Sequence, residues 1–405
     1  MVINKVFISF IMVAPFVTVP RMSSGKPRAA SFSASTPSAS TNGTGNANGE
    51  AAPSKAVTMT EIARVAGVSV SAVSSFLNNR NYGIRVSEGT QQRITAACRK
   101  LHYQPKSQAA RARIYPQLGD VCFMVNNRTP DGAQNHYFGR MLGGVMKAMK
   151  QSEQQVTYAL FDLGIDYMQH PERLPLPVRQ ESATKFILAS GPNPSLVQHL
   201  LESGRPFVYL GQHLEMPGFL SICPDYAEAS RMAVHHLHGM GHRNIAFITG
   251  SFGNTRYNQT EIERGFAQGM REVGLTLKPH LLCHGKLNTT DVSAAVDYCM
   301  GQPKAGERPT AFFCFHDTAA ICAAGRLQAR GVRVPDEVSV MGLNDEAGAA
   351  TSHPAMTTVH FPLEEMGRAG LAEVERQALE GRPAASRKIV LPVTLIERAS
   401  CAAVT

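Results

Sequence analysis

The 405-residue chain has no apolar run long enough for a membrane span. Residues 6–19, VFISFIMVAPFVTV, fall short of the roughly 18 residues that a spanning helix needs. Behind Lys5 they resemble a signal-peptide core. Catalytic signatures are missing too. No nucleophile elbow, Walker loop or HExxH occurs, so no catalytic residue, metal ligand or cofactor is assigned. The eight cysteines (98, 122, 223, 283, 299, 314, 322, 401) form no CxxC and keep no regular spacing. Several lie in apolar runs, as Cys122 in VCFMV and Cys314 in FFCF. That pattern reads as buried free thiols in a reducing cytosol, not as a disulfide framework or zinc site. Acids are outnumbered, 31 against 40 bases, giving a net charge of +9 and a pI near 9.2. This balance suits an anionic partner.

Residues 58–105 hold most of the information. Thr58, with Glu61 three residues on, reads as a capping box. Ile62 and Val65 give the first helix an apolar face, and Gly67 ends it. Ser69 is placed to cap a second helix, whose Val73, Phe76 and Leu77 fall at helical spacing. Ser87 is placed to cap a third, in which Ile94, Ala97, Cys98 and Leu101 follow the i, i+3, i+4, i+7 pattern. So few residues separate the first two helices that they must cross steeply. That is helix-turn-helix geometry, with the second helix in a DNA major groove. Between 58 and 113 stand nine bases (Arg64, Arg80, Arg85, Arg93, Arg99, Lys100, Lys106, Arg111, Arg113) against Glu61 and Glu88. Such a segment attracts phosphates and binds in a salt-dependent way. A basic bundle without a nucleic-acid partner is the plainer alternative, but caps, turn and charge coincide.

Residues 23–54 are rich in Ser, Ala, Gly, Thr, Asn and Pro and cannot bury a core. Residues 1–57 therefore read as a disordered leader or an over-extended start, with Met22 or Met59 as the alternatives to Met1. From Leu118 onward, apolar strands (119–125, 156–161, 185–190, 206–211, 244–250, 311–315, 338–343) alternate with helical patterns (137–151, 194–203, 227–240, 263–273, 317–330, 362–379). This predicts an α/β fold with parallel sheets covered by helices. The length favours two lobes, with a ligand cleft at the carboxyl ends of the strands.

The ordered set TEIARVAGVSVSAVSSFLN, LHYQP, NHYFGRMLGG (135–144), residues 224–250, residues 332–367 and KIVLPVTLIERAS (388–400) resembles the LacI/GalR family of bacterial transcription regulators. The likeness spans about 58–402. It implies a helix-turn-helix head (58–104), a hinge (105–117) and a periplasmic-binding-protein-like core (118–405) of two Rossmann-like lobes joined by three crossovers. Lobe one is expected at about 118–218 and 361–380, lobe two at about 219–360 and 381–405. It further implies a cytoplasmic homodimer on a near-palindromic double-stranded operator, a repressor role, and a small-molecule effector in the cleft. No membrane partner is implied.

By the same resemblance, Val70, Ser71 and Ser75 read bases, while Thr60, Ser74 and Asn78 contact phosphate or sugar. Val70 suits a thymine methyl and the serines suit several base edges. The loop after Asn78 is about three residues longer than in the best-known members, and adds Arg80, Tyr82 and Arg85 as backbone contacts. In the hinge, Lys106, Arg111 and Arg113 offer phosphate or minor-groove contacts. Ala112 stands where the family places a wedging leucine, so kinking is expected to be weaker; Ile114 substitutes if the hinge helix is shifted. For the effector, Tyr137 and Phe138 form a stacking pair. Ile262 replaces an expected arginine, His316 and Asp317 replace an Asn-Asp pair, and Asn344 and Asp345 stand in an acidic turn. Asp317 also suits a helix cap, and Asp345 a turn. Losing charged clamps argues against a simple transfer of sugar or purine recognition. A carbohydrate or related metabolite, a less polar ligand, or no effector all stay open.

His235, His236, His238 and His242 cluster, and two share a helical face, but a metal site needs more ligands in fixed geometry, and the family resembled has a similar helix with no metal. Two rival functions remain: a periplasmic solute-binding protein with 6–19 as its signal, and an enzyme on the same fold. The first leaves 58–105 without a purpose. The second lacks an acid–base or nucleophile constellation.

Overall fold

The Glu61 amide donates to the Thr58 hydroxyl at 3.3 Å while the Glu61 carboxylate accepts the Thr58 amide at 2.8 Å. This closes the expected capping box and starts α1 (Met59–Ala66), which ends at Gly67 with φ of 64°. Left-handed backbone of this kind favours glycine. Ser69 starts α2 (Val70–Asn78) by accepting from the Ala72 amide at 3.1 Å. Ser87 starts α3 (Glu88–Lys100) through the Thr90 amide. Ile62, Ala63, Ala66, Val73, Leu77, Ile94, Ala97 and Cys98 are buried. In this computed structural model, the described residues within 20–104 form one compact unit, and those within 1–19 and 105–405 another. The structure describes residues 17–18, 57–78, 86–101, 103, 105, 110, 114, 120–129, 135–150, 154–250, 257–286, 288–302 and 305–404. The leader segment 23–54 lies outside them. Among the described residues, no helix is long and apolar enough to cross a membrane.

The second unit contains two sheets. The first has the order β12-β6-β5-β4-β2-β3 and is parallel throughout. Its strands are β2 (Val121–Asn126), β3 (Val156–Phe161), β4 (Lys185–Ala189), β5 (Phe207–Leu210), β6 (Leu220–Pro224) and β12 (Arg387–Leu391). The second sheet runs β1-β8-β7-β9-β10-β11-β13. It contains β1 (Val17–Thr18), β7 (Ile245–Gly250), β8 (Leu282–Gly285), β9 (Ala311–Cys314), β10 (Ser339–Asn344), β11 (Thr357–His360) and β13 (Thr394–Ile396). Among the described strands, only the β11–β13 pair is antiparallel. Strands β2, β4, β7 and β10 are buried along their whole length. That explains their unbroken apolar sequence: helices cover both faces.

The lobe boundaries differ from expectation. β6 pairs with β5 and β12, so 220–224 and 387–391 belong to the first sheet, whereas the resemblance put them in lobe two. From β2 onward the chain crosses between lobes after β6, after β11 and after β12. The Asp225 amide donates to the Leu391 carbonyl at 3.1 Å, tying two of these crossings together.

Helices α4 (His136–Ala148) and α12 (Leu363–Glu380) pack against each other on the first sheet. A Cβ at Gly144 would overlap the Glu364 carbonyl, and one at Gly367 would overlap the Met141 carbonyl. The two backbones thus meet only because both positions are glycine. Gly143, by contrast, has open space around it. Gly144→Ala and Gly367→Ala are expected to destabilise the core by about 1–3 kcal/mol through overpacking. Gly143→Ala is expected to be neutral or stabilising by up to about 1 kcal/mol through helix propensity. Urea unfolding midpoints of the three variants check this.

Candidate functional site

At the start of α2, Val70 is 44 % exposed, and Ser71 is exposed with its hydroxyl 2.9 Å from that of Ser69. Thr60 is exposed on α1, and Ser74 is half-buried. Ser75 corrects the expected set. It is 6 % exposed, three residues after buried Ala72 and two before buried Leu77, on the inner side of α2. An arginine could reach out from this position; a serine is too short, so direct base reading from Ser75 is not supported. The Asn78 side chain and Arg80, Tyr82, Arg85, Lys106, Arg111, Ala112 and Arg113 lie outside the described residues. Ile114, the alternative wedge, is fully buried.

In the core, Asn135 caps α4 by accepting the Tyr137 and Phe138 amides. These two half-buried rings meet edge-on at 5.2 Å. The Tyr137 hydroxyl lies 2.8 Å from that of Tyr226, which donates to the Gly211 carbonyl at 2.8 Å. Burial pushes the Tyr137 hydroxyl well above its ordinary range, against the Tyr226 hydrogen bond that favours ionisation. Tyr226 opens α7 (Tyr226–Gly239), just past the first crossing.

Ile262 is a second correction. It lies on α8 (Tyr257–Glu272), 2 % exposed, in the same apolar cluster as Phe247, Phe266 and Phe313. An isoleucine gains more in that core than beside a polar ligand, so it packs inward and contributes no clamp.

His316 and Asp317 organise the start of α10 (Asp317–Ala329). The His316 Nδ1 accepts the Ala319 amide at 3.0 Å, and burial holds its pKa below the usual imidazole value, against the pull of Glu346. Asp317 is fully buried and accepts the Glu346 amide at 2.7 Å. Glu346 returns the contact, its carboxylate accepting the Thr318 amide at 3.0 Å. A Cβ at Gly342 would overlap the Asp317 carboxyl, so β10 makes room for it with glycine. The cap of α10 is thus His316, not Asp317; the buried Asp317 carboxyl instead braces the turn at Glu346, which is neither a ligand contact nor the helix cap its sequence position suggested.

Asn344 and Asp345 both have positive φ, 96° and 54°. Backbone of this kind costs non-glycine residues about 1–3 kcal/mol each and persists only where surroundings enforce it. Here they do. Asn344 Nδ2 donates to Glu346 Oε1 at 3.2 Å, and the Asp345 carboxylate takes Arg398 at 2.6 Å and His360 at 3.0 Å. Burial works against ionisation of Asp345, but Arg398 and His360 win and hold its pKa below the usual carboxylate range. Its carboxylate is therefore engaged by the protein itself, which corrects the expected ligand-binding role.

The residue the sequence reading missed is Arg140, one turn after Tyr137 on α4. Its Nε and Nη2 donate to Glu364 at 2.9 and 2.8 Å, and its Nη1 donates to the Asn344 and Asp345 carbonyls at 3.0 and 3.1 Å. One guanidinium thus joins both lobes. The i+3 spacing from Tyr137 was the available signal; the carbonyl partners left none. The four histidines disperse: His235 meets Glu272 at 2.8 Å, and His242 lies 2.9 Å from both Thr310 and Ser339. No metal-holding group occurs among the described residues.

Burial pushes the Asp317 carboxyl up to about 8, against the Thr358 hydroxyl and the Glu346 amide. Between pH ~4 and ~8 the folded chain then keeps a proton that the unfolded chain releases. Stability from this group is full below pH ~4 and falls by up to about 1.4 kcal/mol per pH unit as pH rises towards 8. Asp317→Asn should flatten that segment of a plot of urea midpoint against pH.

Comparison with known proteins accords with this geometry. Residues 58–106 match the model for bacterial regulatory proteins of the lacI family, and 234–401 match a periplasmic binding protein-like domain. The chain is 28 % identical over 356 residues to the HTH-type transcriptional regulator DegA of Bacillus subtilis (strain 168), covering 85 % of this chain and 97 % of the relative. It is 28 % identical over 313 residues to the HTH-type transcriptional repressor PurR of Aliivibrio fischeri (strain ATCC 700601 / ES114), covering 77 % and 88 %. Similar solved structures include a transcriptional regulator CelR–cellobiose complex, with TM-score 0.59, 24 % identity, and 85 % and 99 % covered. Another is the lac repressor dimer bound to operator and the anti-inducer ONPF, with TM-score 0.60, 18 % identity, and 86 % and 100 % covered. A lacI-type head at 58–106 gives that segment the purpose which a secreted solute receptor lacked, and removes the ground for that reading. With this head, this two-lobed core and regulators as its relatives, the chain belongs to the lacI family of bacterial transcription regulators.

Proposed function

We propose that the chain represses transcription from the cytoplasm, as a homodimer whose two heads (58–104) read a near-palindromic operator. A hinge (105–117) links each head to a core (118–405) that takes a small-molecule effector. The carrying observation is the exposed Val70–Ser71 pair at the N-terminus of a capped second helix. That is where a helix-turn-helix recognition helix presents side chains to base edges. Arg64, Arg93, Arg99 and Lys100, all exposed in the same unit, supply the phosphate attraction. A twofold dimer matches a palindromic site, and the lac repressor–operator complex, whose fold the chain shares, is such a dimer.

For the effector, the half-buried Tyr137 and Phe138 rings offer a stacking platform where the lobes meet. A carbohydrate or related metabolite suits it, as cellobiose is bound in the CelR complex. Asp317 and Asp345 act as scaffold there, and no catalytic role is assigned to any residue of the site.

On a recovered operator, Val70→Ala and Ser71→Ala should each weaken specific binding by about 1–3 kcal/mol for every base the side chain no longer reaches. Non-specific binding should be unchanged. Ser75→Ala should leave discrimination between bases unaltered. Fluorescence anisotropy with operator and scrambled duplexes, across a salt series, reads all three. Equal losses on both duplexes would contradict the assignment of Val70 and Ser71.

A further inference from the structure

We infer that Arg140 is a latch between the lobes, which holds the cleft in the arrangement seen here and sets how readily it opens. The inference rests on the reading of that cleft as the regulated site.

Arg140 lies on α4 of the first lobe and is largely buried, its side chain 17 % exposed. Its bidentate bond to Glu364 stays within that lobe and fixes the plane of the guanidinium. Bidentate pairing is a property of the planar fork and is not shared by lysine. The fork's remaining nitrogen then faces the carbonyls of Asn344 and Asp345, which belong to the second lobe.

Those carbonyls stand side by side because both residues take positive φ. The turn is pinned from behind by Arg398 and His360 on Asp345 and by Glu346 on Asn344. A rigid donor thus meets a rigid pair of acceptors. Separating the lobes breaks both bonds together, and a charged donor makes each stronger than a neutral one. Other crosslobe contacts, from Tyr226 to the Tyr137 hydroxyl and to the Gly211 carbonyl, join neutral groups beside a crossing and constrain opening less.

A ligand shifts the lobe equilibrium only by its differential affinity for the two arrangements. A built-in latch biases that equilibrium before any ligand arrives. It therefore sets the effector concentration at which the cleft responds.

Hydrogen–deuterium exchange on the full chain, without DNA or effector, tests this directly. In Arg140→Ala, peptides spanning 341–349 should exchange about tenfold faster, with the sheet centres β2 and β7 unchanged. Arg140→Lys keeps the charge but not the fork, and should fall between wild type and Arg140→Ala. It also serves if the alanine variant does not fold. Arg368→Ala removes an exposed arginine of α12 that pairs with Glu365 in its own helix, and should change nothing at 341–349. Wild-type exchange at 341–349 in both Arg140 variants would overturn the latch, as would an equal effect from Arg368→Ala. Failure of the wild-type chain to bind any operator would count against the regulator reading and would not alter the exchange result.

Discussion

Three crossings of the chain between its two sheets, counted from β2 onward, set how the two lobes of the core meet. They bring the end of β10 against Arg140 of the first lobe, and the end of β5, at Gly211, against Tyr226 of the second. Open α/β sheets bind ligands at such edges because loops and helix starts there present unsatisfied polar groups. In this chain the groups are arranged as reciprocal ties. Glu346 accepts the Thr318 amide of α10 while Asp317 of α10 accepts the Glu346 amide. Arg140 reaches from one lobe to the strained turn of the other. The result is a cleft wall whose acids are neutralised by the protein.

This arrangement changes what selectivity means for the effector. The sequence already lacks two of the family's charged clamps, and the structure commits the remaining acids to internal support: Asp345 holds Arg398 and His360, and the buried Asp317 carboxyl braces the Glu346 amide. In the proposed effector reading the platform left for a ligand is aromatic, Tyr137 and Phe138, with the Tyr137 hydroxyl already paired to Tyr226. Recognition by stacking tolerates many flat or ring-shaped ligands. Control over response then falls more heavily on the equilibrium between lobe arrangements than on direct ligand recognition.

Local rules were legible in the sequence. The capping box at Thr58, the glycine stop at Gly67 and the serine caps at Ser69 and Ser87 depend on neighbours within three residues, and all occur. The buried strands β2, β4, β7 and β10 announced themselves by unbroken apolar runs. Strands β11 and β12 did not, since TTVH is polar and RKIVL is largely exposed. They exist because β10 and β6 offer free edges, a tertiary fact. Position-matching to a family also failed in a physical way. Ile262 and Ser75 occupy places where a long cation would reach outward, and short or apolar side chains there turn to the core instead. Arg140 was hidden for the opposite reason, because its acceptors are main-chain carbonyls about two hundred residues away, which carry no side-chain signature.

The central claim is that this is a DNA-reading regulator, and selection of bound fragments from a genomic library by the purified chain tests it most directly. At near-physiological salt the account predicts recovery of one near-palindromic motif, with two half-sites related by the dimer's twofold axis. Recovery of fragments without a shared motif, with binding that fades uniformly as salt rises, would contradict it.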